Sequence, residues 1–249
     1  MRDISVKNVL TAAFILLALW HIISMVLDLP IVPAPAAVFA VLGEIFGPVI
    51  GQHILSSLYR IAAGVGLAII VGLPLGTLMG YSVKVDRIFS PAVYLSYPVP
   101  KVALLPVVML LFGIGERSKI LLIFLIVVYQ VVISVRDSLQ EIPEEMFFPL
   151  RSLGASFADI FRHLLLPAAL PKFFTALRVA MATAISVLFF TETFGTDYGI
   201  GYFIMDAWLR VDYLEMYAGI VVLSGLGVLL FLVIDSIERK ICCWQYINK

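Results

Sequence analysis

The chain has 249 residues, 62% hydrophobic and 14% charged, with a mean hydropathy of +1.06. A soluble domain carries about 25% charged and about 45–50% apolar residues, so this composition excludes a disordered chain, a disulfide scaffold and an ordinary soluble enzyme, and implies an all-α polytopic membrane protein. Seventeen basic and seventeen acidic residues cancel, which leaves no electrostatic footprint for nucleic acid.

Stretches free of Asp, Glu, Lys and Arg mark the spans, because a charge at the bilayer centre is costly. The first covers about residues 8–28, enough to cross a hydrocarbon core of roughly 30 Å. Ala34-Pro35-Ala36 resembles a signal cleavage site, but the apolar stretch is longer than a signal's and more spans follow, so a retained helix is expected. Pro30, Pro33 and Pro35 exclude a helix just beyond it, and the stretch from there to about His53 has room for a short interfacial one. The second span, about 56–82, contains Gly64, Gly66, Gly72, Gly76 and Gly80, which favour close helix packing, and Pro74, which should kink it. Pro91, Pro98, Pro100 and Pro106 predict a broken segment at 88–101 before a third span at 102–115, with Lys101 as the one charge between Ile88 and Gly115. Spans at 119–138, 173–192 and 216–236 complete six crossings in a single domain, 1–249. No internal duplication of the kind found in inverted-repeat carriers is evident.

Orientation follows from the basic residues. With the N-terminus in the cytoplasm, Arg2 and Lys7, Lys84 and Arg87, Arg136 to Arg178, and Arg239, Lys240 and Lys249 fall inside. Only Arg117, Lys119 and Arg210 fall outside. Both termini are therefore expected in the cytoplasm. Cys242 and Cys243 read as free thiols at a membrane edge, with reversible acylation as the sharper alternative.

The longest polar interruption is the cytoplasmic loop, about 139–172. Ser156 and Asp159 have capping-box spacing, and Phe157, Ile160, Phe161 and Leu164 recur at i, i+3, i+4 and i+7 on one stripe. Pro167 and Pro171 are expected to end this short helix. Its stripe must rest either on the chain's own membrane helices or in a groove of a partner, and the periodicity leaves both open. Within the spans, Arg60 and Glu192 are functional candidates, Arg60 toward an anionic solute. The alternative is that they pair with each other or snorkel. Tyr129, Gln130, Ser134, Thr183 and Ser186 are candidates for lining a path, against the alternative that hydroxyls bond their own backbone. No G-x-x-x-x-G-K-[ST] phosphate loop occurs, and His21, His53 and His163 lack metal-ligand spacing, so no catalytic residue, metal or cofactor is expected in the chain itself.

Leu153-Gly154-Ala155-Ser156, followed after nine intervening residues by Leu166-Pro167-Ala168-Ala169-Leu170-Pro171, resembles the cytoplasmic signature loop of permease subunits of ATP-binding-cassette importers. Ser57-Leu58-Tyr59-Arg60, Gly72-Leu73-Pro74-Leu75-Gly76, Pro98-Val99-Pro100, Phe112-Gly113-Ile114-Gly115-Glu116 and Gly199-Ile200-Gly201-Tyr202 extend the resemblance to the nitrate/sulfonate/taurine/bicarbonate branch. The resemblance departs where that family has Glu-Ala-Ala, here Phe148-Pro149-Leu150. It implies the type I importer permease fold in the cytoplasmic membrane. It also implies a second, most simply identical, permease copy, membrane lipid, an extracytoplasmic solute-binding protein, and ATPase subunits that carry ATP and magnesium. Gly154, Ser156, Phe157, Asp159, Ile160, Phe161, Leu164 and Pro167 would then form the helix that engages the ATPase. The cargo would be a small sulfonate-, nitrate- or taurine-like anion. An ATP-independent channel or secondary carrier is the alternative, and an integral-membrane enzyme lacks the clustered groups it would need.

Overall fold

The computed structural model of the chain describes residues 6–245. Arg2 and Lys249, which entered the charge asymmetry, lie outside the described residues. Eleven α-helices follow one another, and no strand occurs among the described residues. α1 (Val6–Leu27) leads to α2 (Pro35–Ile45), which starts on Pro35, where a missing N–H costs nothing. A π-turn at Phe46–Ile50 fuses α2 to α3 (Gly51–Tyr81), so this helix begins five residues before the second span was placed and stays continuous through Pro74.

α4 (Val83–Ser96) is helical through Pro91, and the chain breaks only at 97–100 before a short 3₁₀ turn and α5 (Leu105–Phe112). The break is therefore narrower than the 88–101 segment read from the prolines. Pro91 is tolerated inside the helix, whereas Pro98 and Pro100 remove two of three successive donors at its end. The two pieces meet at 80°. α6 (Glu116–Gln140) is central, packed between α3 and α9 (Leu166–Glu192). α10 (Ile200–Leu209) and α11 (Tyr213–Ile241) close the chain.

The α3–α6 contact depends on absent side chains. A Cβ at Gly72 would lie 2.9 Å from Val131 Cγ1, one at Gly76 2.8 Å from the Val132 carbonyl oxygen, and one at Gly80 2.7 Å from Leu139 Cβ. Around this seam Ile61, Ala68, Ile123, Val127, Val131, Ala180, Ala184 and Leu188 form a closed core, none more than 1% exposed. Arg136 pairs with Asp86 to tie α6 to α4, and Arg178 pairs with Asp235 and Glu238 to tie α9 to α11.

Four helices are long and apolar enough to cross a membrane among the described residues: α3, α6, the rod Phe157–Glu192 and α11. The bent pair of α4 and α5 makes a fifth if it is one span, and the apolar part of α1, Thr11–Leu27, is shorter than these.

The segment at about 139–172 overturns one expectation. Its helix does not stop at Pro167 and Pro171. α8 (Phe157–Ile160) passes through a π-turn at Phe161–Leu165 directly into α9. Proline lacks an N–H and its ring crowds the carbonyl four residues back. Pro167 escapes both costs because the wide turn precedes it and it falls in the first turn of the resumed α-helix. The short helix and the long apolar one are a single 36-residue rod, Phe157–Glu192.

Candidate functional site

Two polar assemblies occupy opposite ends of the bundle, and the one around Gly154 begins with α7 (Phe148–Ser152). The Ala155 N–H bonds to the Leu150 carbonyl and the Gly154 N–H to that of Arg151, the paired bonds of a Schellman cap. Gly154 takes the left-handed position with φ +70°. Two residues later Ser156 opens α8. Its hydroxyl accepts from the Asp159 N–H at 3.3 Å, and the Asp159 carboxylate accepts from the Ser156 N–H at 2.9 Å, closing a capping box. One helix thus ends and another starts within a tight corner.

That corner has an anchored and an open side. Ile160 (4% exposed) and Leu165 (1%) sit in the core, and Phe161 and Leu164 are half-buried. The Phe157 ring meets Tyr81 edge-on at 5.0 Å, yet Phe157 remains 48% exposed. Met146, Phe148 and Leu153 are more exposed still, Leu153 at 84%. Asp159, Arg162 and His163 face outward beside them. Of the two places left open by its periodicity, half of the stripe takes the first and rests on the bundle, and the remainder continues into an uncovered apolar surface.

At the other end Arg60 uses all five N–H donors. Nη1 donates to Glu192 Oε1 at 2.7 Å and to the Tyr198 carbonyl at 2.8 Å; Nε and Nη2 grip Glu116 at 2.7 and 2.5 Å; Nη2 also reaches Thr196 Oγ1 at 3.1 Å. Glu192, 0% exposed, accepts further bonds from the Ser57 hydroxyl and from the Gly201 N–H at 2.8 Å. Ser57 Oγ takes the Ile200 N–H at 2.9 Å and His53 Nδ1 takes that of Gly199 at 3.0 Å. The first free N–H groups of α10 are thus capped by side chains from α3 and α9, with a carboxylate at the positive end of the helix. A Cβ on Gly199, whose φ is +136°, would fall 2.4 Å from Glu192 Cδ. Buried Lys119 donates to the Gly195 carbonyl at 3.2 Å and ties the adjoining loop to α6.

The remaining path candidates do not converge. Thr183 and Ser186 bond the carbonyls of Val179 and Ala182, one turn back on their own helix. Ser134 reaches across to the Lys172 carbonyl at 3.2 Å. Gln130 holds its Oε1 buried without a hydrogen-bond partner. Tyr129 lies under the Lys101 ammonium, 4.3 Å from ring centroid to Nζ. Arg60 and Glu192 meet each other, 1% and 0% exposed, and present no free group to a solute. Sequence reasoning did not assign Glu116, Ser57 and His53 to the cluster, although the Ser57–Arg60 stretch was noticed; their partners are more than 50 residues away in the chain.

Comparison with known proteins gives a family match. Residues 64–241 match the family described as binding-protein-dependent transport system inner membrane component. The taurine transport system permease protein TauC of Escherichia coli is 33% identical over 244 residues, covering 94% of this chain and 88% of that protein. The putative aliphatic sulfonates transport permease protein SsuC of Bacillus subtilis is 30% identical, covering 93% and 85%. Among solved structures, an inward-facing form of the MetNI methionine ABC transporter superposes with a TM-score of 0.67 at 23% identity, covering 79% of this chain and 98% of that one.

Proposed function

Since the chain belongs to the family of binding-protein-dependent transport system inner membrane components, we propose that it conducts a small sulfonate-type anion inward, driven by ATPase subunits docked on the corner at Gly154. The chain is a multi-pass permease of an ATP-binding-cassette importer, a transport subunit and not an enzyme. The cargo class rests on the relatives named for taurine and aliphatic sulfonates. An ATP-independent channel or carrier finds no support in these relatives and gives the exposed corner no task.

The observation that carries the reading is the geometry of that corner: a Schellman turn and a capping box hold a helix start rigidly, with Leu153 and Phe157 uncovered beside it. Removal of apolar surface from water favours a partner there. Because the helix continues into α9, displacement of the docked end would tilt a membrane span. ATP and magnesium would reside on the ATPase, a solute-binding protein would deliver cargo outside, and both termini would be cytoplasmic. A second copy of the chain would complete the path, and α1, with the bent pair as one crossing, would bring the spans to six.

Co-purification tests this. The chain should retain its ATPase through purification and stimulate its hydrolysis. Leu153→Asp and Phe157→Asp should each weaken ATPase retention by about tenfold or more, the scale of an interface hot spot, while the permease still inserts. Undiminished retention in both variants would remove the docking role from this corner.

A further inference from the structure

We infer that Lys101 forms an oxyanion subsite halfway along the solute path, taking the sulfonate end of the cargo; this rests on the importer reading above. Lys101 stands at the 80° break between α4 and α5. Its Nζ donates to the Ser96 carbonyl at 2.9 Å and the Tyr97 carbonyl at 2.6 Å, and lies 4.3 Å from the Tyr129 ring centroid and 5.2 Å from that of Tyr97. The helical donor for the Ser96 carbonyl would be residue 100, a proline, and the Val99 N–H at 3.2 Å and the ammonium bond to that carbonyl instead. Tyr129 is the fourteenth of the 25 residues of α6, which puts the ammonium about 20 Å from the outer end of that helix, near mid-depth.

Charge and exposure then decide what surrounds it. Arg60, Arg136 and Arg178 are all paired with carboxylates, whereas Lys101 forms no salt bridge among the described residues. Its acceptors are neutral, so the positive charge is not cancelled. An uncancelled ammonium and irregular backbone at this depth are incompatible with hydrocarbon, and are found where they face protein or line a water-filled cavity. Yet the chain leaves the break open: Tyr97 is 51% and Val99 42% exposed, and Lys101 is half-buried. The compartment that satisfies both facts is the aqueous path, where an anionic oxygen can replace water on the ammonium through a charge-assisted hydrogen bond. Arg60, the cation first considered for this task, has every donor occupied.

The test uses the assembled transporter, with its ATPase and binding protein, in proteoliposomes. Lys101→Cys, in a chain also carrying Cys242→Ser and Cys243→Ser, should react with 2-sulfonatoethyl methanethiosulfonate, a thiol reagent that itself bears a sulfonate. No reaction would place the position out of contact with water and overturn the inference. Lys101→Gln should reduce uptake of radiolabelled ethanesulfonate by about tenfold or more, and Lys101→Arg should recover most of it, as for the loss and return of one charge-assisted contact. Unchanged uptake in Lys101→Gln would overturn the subsite alone, and so would equal losses in Gln and Arg variants that still assemble, which would mark a helix cap. A wild-type transporter that carries a neutral solute but no sulfonate would overturn the cargo class as well, before any substitution is made.

Discussion

Arg60 and Gly154 each hold a position that one substitution should expose. Removing the Arg60 guanidinium leaves the Glu192 carboxylate at 0% exposure with only Ser57 and the Gly201 N–H as partners. Breaking a buried pair from one side costs about 3–5 kcal/mol, so Arg60→Met should lower the unfolding midpoint in detergent and the folded yield. Glu116 is 47% exposed in the same cluster, and Glu116→Gln should cost about 1 kcal/mol, as for solvent-screened pairs. Equal effects of the two would contradict the burial ranking. Gly154 differs in kind, because no atom lies within 4 Å of a Cβ built on it and only its φ of +70° excludes other residues. Gly154→Asn should therefore keep the Schellman turn and ATPase stimulation, since asparagine tolerates this conformation. Gly154→Val, strained by about 1–2 kcal/mol, should insert but lose stimulation.

Between helices, the governing contact is the glycine seam of α3 on α6. Gly76 faces the Val132 backbone, which cannot move aside, whereas Gly66 has nothing within 4 Å of a Cβ. Gly76→Val should separate the helices and destabilise the fold by about 1–3 kcal/mol, the cost of overpacking, read as a lower melting temperature. Gly66→Ala should leave it unchanged. These glycines were legible in the sequence as a close-packing pattern, and so was the capping box of Ser156 and Asp159, because both signals are local. The cluster around Arg60 was legible only as two charges at span ends, since its members come from α3, α6, α9 and the start of α10 and no periodicity links them. The rod through Pro167 was misread for a different reason. Proline does not always stop a helix, as Pro74, Pro91 and Pro171 inside α3, α4 and α9 illustrate, and the π-turn at Phe161–Leu165 that precedes Pro167 leaves no composition signal. The departure at Phe148-Pro149-Leu150 is accommodated as a 3₁₀ turn followed by the short α7, with Pro149 in its first turn.

For the whole molecule, the question is where a solute could pass. The interior of the α3–α6–α9 unit is closed, with Val127, Val131 and Ala184 at 0% exposure. A cavity of about 680 Å³ lies between α3, α4 and α6, lined by Met79, Tyr94, Tyr97, Pro98 and Arg136, and it reaches the break at Tyr97 and Pro98. In contrast to α6, with 56% of its apolar window buried, α11 has only 11% buried, and α5 presents Leu110 at 86% and Leu111 at 72% exposure. A chain with a closed core and a polar break on its flank can form a path only against another surface, and a symmetric second copy is the simplest one. Native mass spectrometry of the transporter released from detergent should therefore give two permease chains of 27.5 kDa for each assembly that stimulates ATPase activity. A stimulated assembly holding one copy and no other permease chain would require the path to open through Val127 and Ala184, at the expense of the packing that joins α3, α6 and α9.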